Sequence, residues 1–197
     1  MRPSTRREFV RGPAGRIECA VDAPHGSPRG TALIAHPHPL YGGTLDNKVV
    51  QTLARAFVEL GYQAWRPNFR GVGATEGVHD EGRGELDDLR AVVEHVQAQK
   101  LVLAGFSFGA ALQAQLSKKV TIERLVLVGV AVTSFDVPEV ARDSLVIHGE
   151  NDDTVPLAAV LDWARPQELP LIIVPGADHF FHRKLHVLRG IVESNWR

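Results

Sequence analysis

Five short runs, "TALIA", "KLVLAGF", "RLVLVGVAV", "SLVIHG" and "PLIIVPG", are apolar almost without interruption. A strand with one wet face alternates apolar and polar residues. A strand that does not alternate is covered on both faces, as in a parallel sheet flanked by helices. Between these runs lie segments with helical spacing. Lys48–Leu60 carries Val49, Leu53, Ala56, Phe57 and Leu60 on one stripe, with Asn47 placed to cap it and Gly61 to close it. "ELDDLRAVVEHVQAQ", "GAALQAQLSKK", "VPLAAVLDWARP" and "HRKLHVLRGIVESNW" read as further helices, and "YQAWRPN" as one more strand. Two β-like runs come first, Glu8–Arg11 and Arg16–Asp22, joined by "GPAG" as a hairpin. Alternation of strand and helix predicts an α/β fold with a mostly parallel central sheet and helices on both faces.

With 197 residues, 44% of them hydrophobic, the chain can bury one core, and residues 1–197 are expected to form a single domain. The connection from Val132 to Asp143 is too short for an inserted cap domain. A net charge of −1 gives no electrostatic case for nucleic acid or for a membrane surface. The five arginines among the first sixteen residues read as a solvated edge. Cys19 is the only cysteine, so no intrachain disulfide forms. No signal-like apolar segment and no run long enough to span a bilayer is present, which makes a cytoplasmic location the expectation.

"GFSFG" lies between a predicted strand and a predicted helix and fits G-x-S-x-G. In a nucleophile elbow a tight strand-to-helix turn holds the central residue, here Ser107, in a strained conformation beside a helix N-terminus. Gly105 and Gly109 would remove the collisions such a turn creates. The plain alternative is an ordinary turn in which Ser107 caps the helix. A serine hydroxyl needs a base to activate it. The partners should follow in the order Ser, acid, His, each after a later strand. "SLVIHGENDDTVP" offers Asp152 or Asp153, and "IIVPGADHFFHR" offers His179 or His182.

Taken together, "GPAG", "HPHPLYGGTLDNKVV", "PNFRGVGATEG", "GFSFG", "HGENDDTVP" and "GADHFF" resemble the α/β-hydrolase superfamily, and within it the small lid-less serine hydrolases. The resemblance runs over nearly the whole chain. It implies Ser107 as nucleophile, Asp152 rather than Asp153 as acid, and His179 rather than His182 as base. His25, His79, His95 and His186 are expected on the surface, and His148 packed at a strand end.

Acyl transfer needs two donors facing the carbonyl oxygen. The residue after the nucleophile, Phe108, should provide one N–H. The loop "HPHPLYGGT" should provide the other, and prolines 37 and 39 have no N–H to give. By analogy with related hydrolases His38 is expected to donate, with Leu40 second. Two histidines in "HPHP" could also hold a metal, but a third ligand is hard to place, and no metal or organic cofactor is implied. Tyr41, Phe106 and Phe180 are expected to line the substrate pocket, with Phe108, Leu40, Phe135 and Phe181 near it. Arg70 is expected to brace its loop rather than meet substrate. These features point to a serine hydrolase cleaving small or short-chain carboxylic esters, as a monomer or homodimer without nucleic-acid or membrane partners. A thioesterase, a peptidase, an acyltransferase or a catalytically silent binding scaffold would share most of them.

Overall fold

The computed structural model describes residues 5–196; Arg2, one of the N-terminal arginines, lies outside them. A hairpin opens the chain, β1 (Arg6–Gly12) and β2 (Gly15–Asp22). Then follow β3 (Thr31–Ala35), α1 (Lys48–Glu59), β4 (Gln63–Pro67), α2 (Arg83–Val96), β5 (Leu101–Phe106) and α3 (Phe108–Leu116). The second half contains β6 (Arg124–Val128), β7 (Leu145–Gly149), α4 (Leu157–Ala164), β8 (Leu171–Val174) and α5 (Leu185–Ser194).

All eight strands form one sheet in the order β1-β2-β4-β3-β5-β6-β7-β8. From β4 to β8 every pairing is parallel, and only β2 runs opposite to the other strands, pairing antiparallel with β1 and β4. Every residue of β3, β5 and β7 is buried, as expected of strands covered on both faces. Leu86, Leu89 and Val92 of α2, Phe108, Leu112 and Leu116 of α3, and Val160 of α4 share one core with one face of the sheet. On the other face, Val49, Val50, Leu53 and Phe57 of α1 pack with Leu188 and Val192 of α5. At the outer end of that second core, Trp196 packs its ring edge-to-face against Phe57 and Tyr62, 5.0 and 6.1 Å away, and donates to the Tyr62 hydroxyl. Such pairs contribute about 0.5–1.5 kcal/mol each beyond the area they bury.

Helix α1 starts where the Asn47 side chain accepts the N–H groups of Val49 and Val50, and it stops at Gly61, which takes φ +86°. The residues leading into α1 are pinned from β4 and the turn after it. Arg66 pairs with Asp22 at 2.9 Å and donates to the Leu45 carbonyl, while the Asn68 side chain accepts the Leu45 N–H. Arg70 binds Asp88 of α2 through two 2.8 Å bonds, so it braces its loop as expected. Residues 129–144 join β6 to β7, and no cap domain is inserted there.

Several boundaries differ from expectation, α2 running Arg83–Val96 and α3 stopping at Leu116, and two of the differences have a clear backbone cause. Strand β6 ends at Val128 because Gly129 takes φ +52° and turns the chain, its N–H bonding to Ile147. Helix α5 begins three residues late, because Phe181 and Arg183 take positive φ and Asp178–Lys184 folds as turns instead.

Candidate active site

The parallel strands all present their C-terminal ends at one rim of the sheet, and side chains from three loops meet there. Ser107 follows β5 directly, with φ +56° and ψ −116°, a conformation that costs a non-glycine residue roughly 1–3 kcal/mol. Its neighbours hold it there. The Ser107 N–H donates to Val128, and its carbonyl accepts Ala110 and Ala111 N–H groups from the first turn of α3. A Cβ at Gly105 would overlap the Gly109 carbonyl, and one at Gly109 would overlap the Ala35 carbonyl of β3. The two glycines therefore let strand, helix and neighbouring strand close to backbone contact. Ser107 does not cap α3 with its side chain.

The hydroxyl faces His179 instead. The carboxylate of Asp152 can only accept, so His179 Nδ1 carries a proton and donates to Asp152 Oδ2 at 2.7 Å. The bare Nε2 accepts from the Ser107 hydroxyl at 3.0 Å. Asp152 Oδ1 takes the N–H groups of Thr154 and Val155 at 3.0 and 2.7 Å. Burial opposes ionisation of Asp152, but the bond from His179 and the Val155 N–H outweigh it, and the carboxyl sits below its ordinary range. Side chains so joined can pass a proton from hydroxyl to imidazole and stabilise the imidazolium that results.

The loops that bear Asp152 and His179 are themselves sewn together. Asn151 N–H donates to the Ala177 carbonyl, and a Cβ at Gly149 would approach the Asp178 carbonyl to 2.8 Å. Gly129 leaves room for the imidazole, since a Cβ there would lie 3.3 Å from His179 Cε1. Asp153 stays exposed. His182 is exposed as well and pairs with Asp178 at 2.7 Å, on a different carboxylate. His148 is wholly buried, donates from Nε2 to the Val155 carbonyl, and lies 3.6 Å from Asp152 Oδ2. Burial keeps its imidazole below the ordinary His range, so it leans on Asp152 without charge.

At the other side of Ser107 lies the turn Pro39–Tyr41. Among the described residues neither the Phe108 N–H nor the His38 N–H has a protein acceptor. Leu40, the second candidate, is occupied: its N–H donates to Nδ1 of the His38 ring at 3.3 Å. That ring packs on Tyr41, Phe108 and His79, with centroids 4.8–4.9 Å away. His79 was expected on the surface and is not there. It is half-buried between His38 and Glu85, with Nδ1 3.0 Å from the Glu85 carboxylate. Glu85 is fully buried and also accepts from the N–H groups of Asp80 and Gly82 at the start of α2. Nothing in the local pattern of the 79–85 segment marks His79 as a neighbour of the "HPHP" loop.

Of the expected pocket residues, Tyr41 is 88% exposed and Phe180 45% exposed at the rim. Phe106 is not accessible: its ring is fully buried beneath the imidazole, 4.8 Å from His179. Phe108 and Phe181 are fully buried too, and Phe181 belongs to the core under α1 and α5. Phe135 is partly exposed and packs on Phe108 at 4.8 Å. Beyond it, between α2 and α3, opens a cleft of about 650 Å³ lined by Leu86, Leu112, Ser134, Asp136 and Lys119 among others. No three His, Cys, Asp or Glu side chains among the described residues are grouped to hold a metal ion. No helix among them is long and apolar enough to cross a membrane.

The profile of the alpha/beta hydrolase family matches residues 25–145. An uncharacterized protein of Rickettsia prowazekii (strain Madrid E) is 33% identical over 195 residues, covering 89% of this chain and 82% of that one. An alpha-beta serine hydrolase homologue from Coxiella burnetii is 38% identical, with a TM-score of 0.91 over 98% of this chain and 97% of the other. A serine hydrolase without lid from Xanthomonas campestris also shares 38% identity and a TM-score of 0.91, over 98% and 93% of the two chains. Agreement over that much of the sequence and nearly all of the backbone has one reading: the chain belongs to the alpha/beta hydrolase family.

Proposed function

We propose that this hydrolase is a carboxylesterase that cleaves small or short-chain esters through an acyl-enzyme. The observation that carries the reading is the unbroken chain Ser107 Oγ to His179 Nε2 at 3.0 Å and His179 Nδ1 to Asp152 Oδ2 at 2.7 Å. Ser107 attacks the ester carbonyl while His179 takes its proton. The carbonyl oxygen becomes an oxyanion between the Phe108 and His38 N–H groups, where each donor contributes about 3–4 kcal/mol. His179 returns the proton to the leaving alcohol, and the ester C–O bond breaks. Water, deprotonated by the same imidazole, then releases the carboxylic acid and frees Ser107. Asp152 orients the ring and stabilises its cation.

Short acyl groups suit the shape. The Phe106 ring is fully buried 4.8 Å from that of His179, and Phe108, next to Ser107, is fully buried as well, which limits the depth available to an acyl chain. The rim, by contrast, is apolar and open at Leu40, Tyr41 and Phe180. A p-nitrophenyl ester series from acetate to decanoate tests the reading, with Ser107→Ala alongside. Turnover should be highest at two to four acyl carbons and disappear in the variant. A folded wild-type protein inert toward the whole series would contradict it.

A further inference from the structure

His36 directly follows β3; its side chain is fully buried and takes no direct part in the chemistry just described. Its Nδ1 lies 2.6 Å from the Pro37 carbonyl oxygen, and its Nε2 lies 2.9 Å from the Phe69 N–H after β4. A carbonyl only accepts and an N–H only donates, so the tautomer is fixed: Nδ1 carries the proton and Nε2 the lone pair.

The Pro37–His38 peptide is trans, as are all peptides among the described residues. A trans peptide is planar, with C=O and N–H pointing in opposite directions. Holding the Pro37 carbonyl against the His36 ring therefore turns the His38 N–H away from that ring. On its other side the same carbonyl meets Gly43, where a Cβ would overlap the oxygen. The plane is clamped from both sides. Every other N–H of the loop from Pro37 to Gly43 is spent. Leu40 donates to the His38 ring, Tyr41 and Gly43 to the His38 carbonyl, and Gly42 to the Pro39 carbonyl. The prolines have none. His38 alone keeps a free donor.

We propose that His36 is a positioning residue for catalysis: its Nδ1–H holds the Pro37–His38 peptide in the orientation that presents the His38 N–H to the oxyanion. The inference rests on the esterase reading above. If the plane flipped, the buried Nδ1–H would lose its acceptor, and the carbonyl oxygen would replace the N–H beside the reacting carbonyl.

Two substitutions separate this role from plain packing. His36→Asn keeps a donor near the Nδ1 position, whereas His36→Gln keeps an acceptor near the Nε2 position and loses the bond to Pro37. On an ester the wild type cleaves, His36→Gln should lose on the order of 10²-fold in kcat with KM within about twofold, the cost of one oxyanion donor. His36→Asn should retain kcat within about fivefold. A trifluoromethyl ketone, which forms an oxyanion on Ser107, should bind roughly 10²-fold more weakly to His36→Gln, and the matching methyl ketone should bind equally to all three proteins. Gly43→Ala displaces the same carbonyl from the opposite side and should show the same pattern, and it decides the matter if His36→Gln does not fold. Equal kcat in the Asn and Gln variants, or parallel losses of both ketones, would overturn the inference. Absence of esterase activity in the wild type would instead overturn the reading beneath it.

Discussion

The hydroxyl of Ser107 lies 3.0 Å from Nε2 of His179, although 72 positions separate the two along the chain. Parallel strands bring this about. β5, β7 and β8 deliver their C-terminal ends to one rim, so the loops after them meet whatever their separation in sequence. Each loop is then fixed by backbone bonds and close glycine contacts, which spares the reacting side chains the entropy of finding one another.

Neighbouring residues of the same type provide sharp controls. His179→Ala should lower kcat by a factor on the order of 10⁴–10⁶, while His182→Ala, on the exposed pair with Asp178, should stay within about twofold. Asp152→Asn should cost about 10⁴-fold, because the amide cannot hold the imidazole in the required tautomer. Asp153→Asn should be close to wild type. Steady-state kinetics on one activated ester reads all four.

Crowding at the elbow predicts an asymmetry among glycines. Gly105→Ala and Gly109→Ala each drive a methyl into backbone and should destabilise by roughly 2–4 kcal/mol. Gly190 lies in α5 with open space where a Cβ would stand, so Gly190→Ala should stabilise by roughly 0.5–1 kcal/mol. Urea melts at pH 7 with a common m-value would measure both directions.

Acid should weaken the fold through His36. Burial lowers this imidazole from 6.5 to about 4, the bond to Pro37 opposing the fall only in part. The unfolded chain therefore takes up the proton first. Stability is complete above about pH 6.5 and declines as the pH falls toward 4, by roughly 3 kcal/mol over that window. His36→Asn removes the titrating group and should flatten this part of the profile, as read by urea unfolding between pH 4 and pH 7.

The sheet and its flanking helices were legible because burial on both faces leaves a mark in every residue of a strand such as Leu101–Phe106. The order of serine, acid and histidine was legible because each follows a strand that could be read, whereas Asp152 over Asp153 and His179 over His182 came from the family resemblance. What stayed hidden depends on contacts between segments distant in the chain. Capture of the Leu40 N–H by the His38 ring follows from a turn whose shape no periodicity encodes. The packing of His79 on His38 joins two loops that share no pattern. Phe106 alternates with Ser107 at a strand end, and only the seating of His179 above it shows that its ring is core. The late start of α5 comes from positive φ at Phe181 and Arg183, residue types that do not announce such a turn.

The central claim is that Ser107 is an activated nucleophile, and reaction with a fluorophosphonate followed by peptide mapping tests it most directly. One equivalent of label should attach to Ser107 in the wild-type protein, with none in Ser107→Ala and almost none in His179→Ala. Label on any other residue, or undiminished labelling of the His179→Ala protein, would contradict the account.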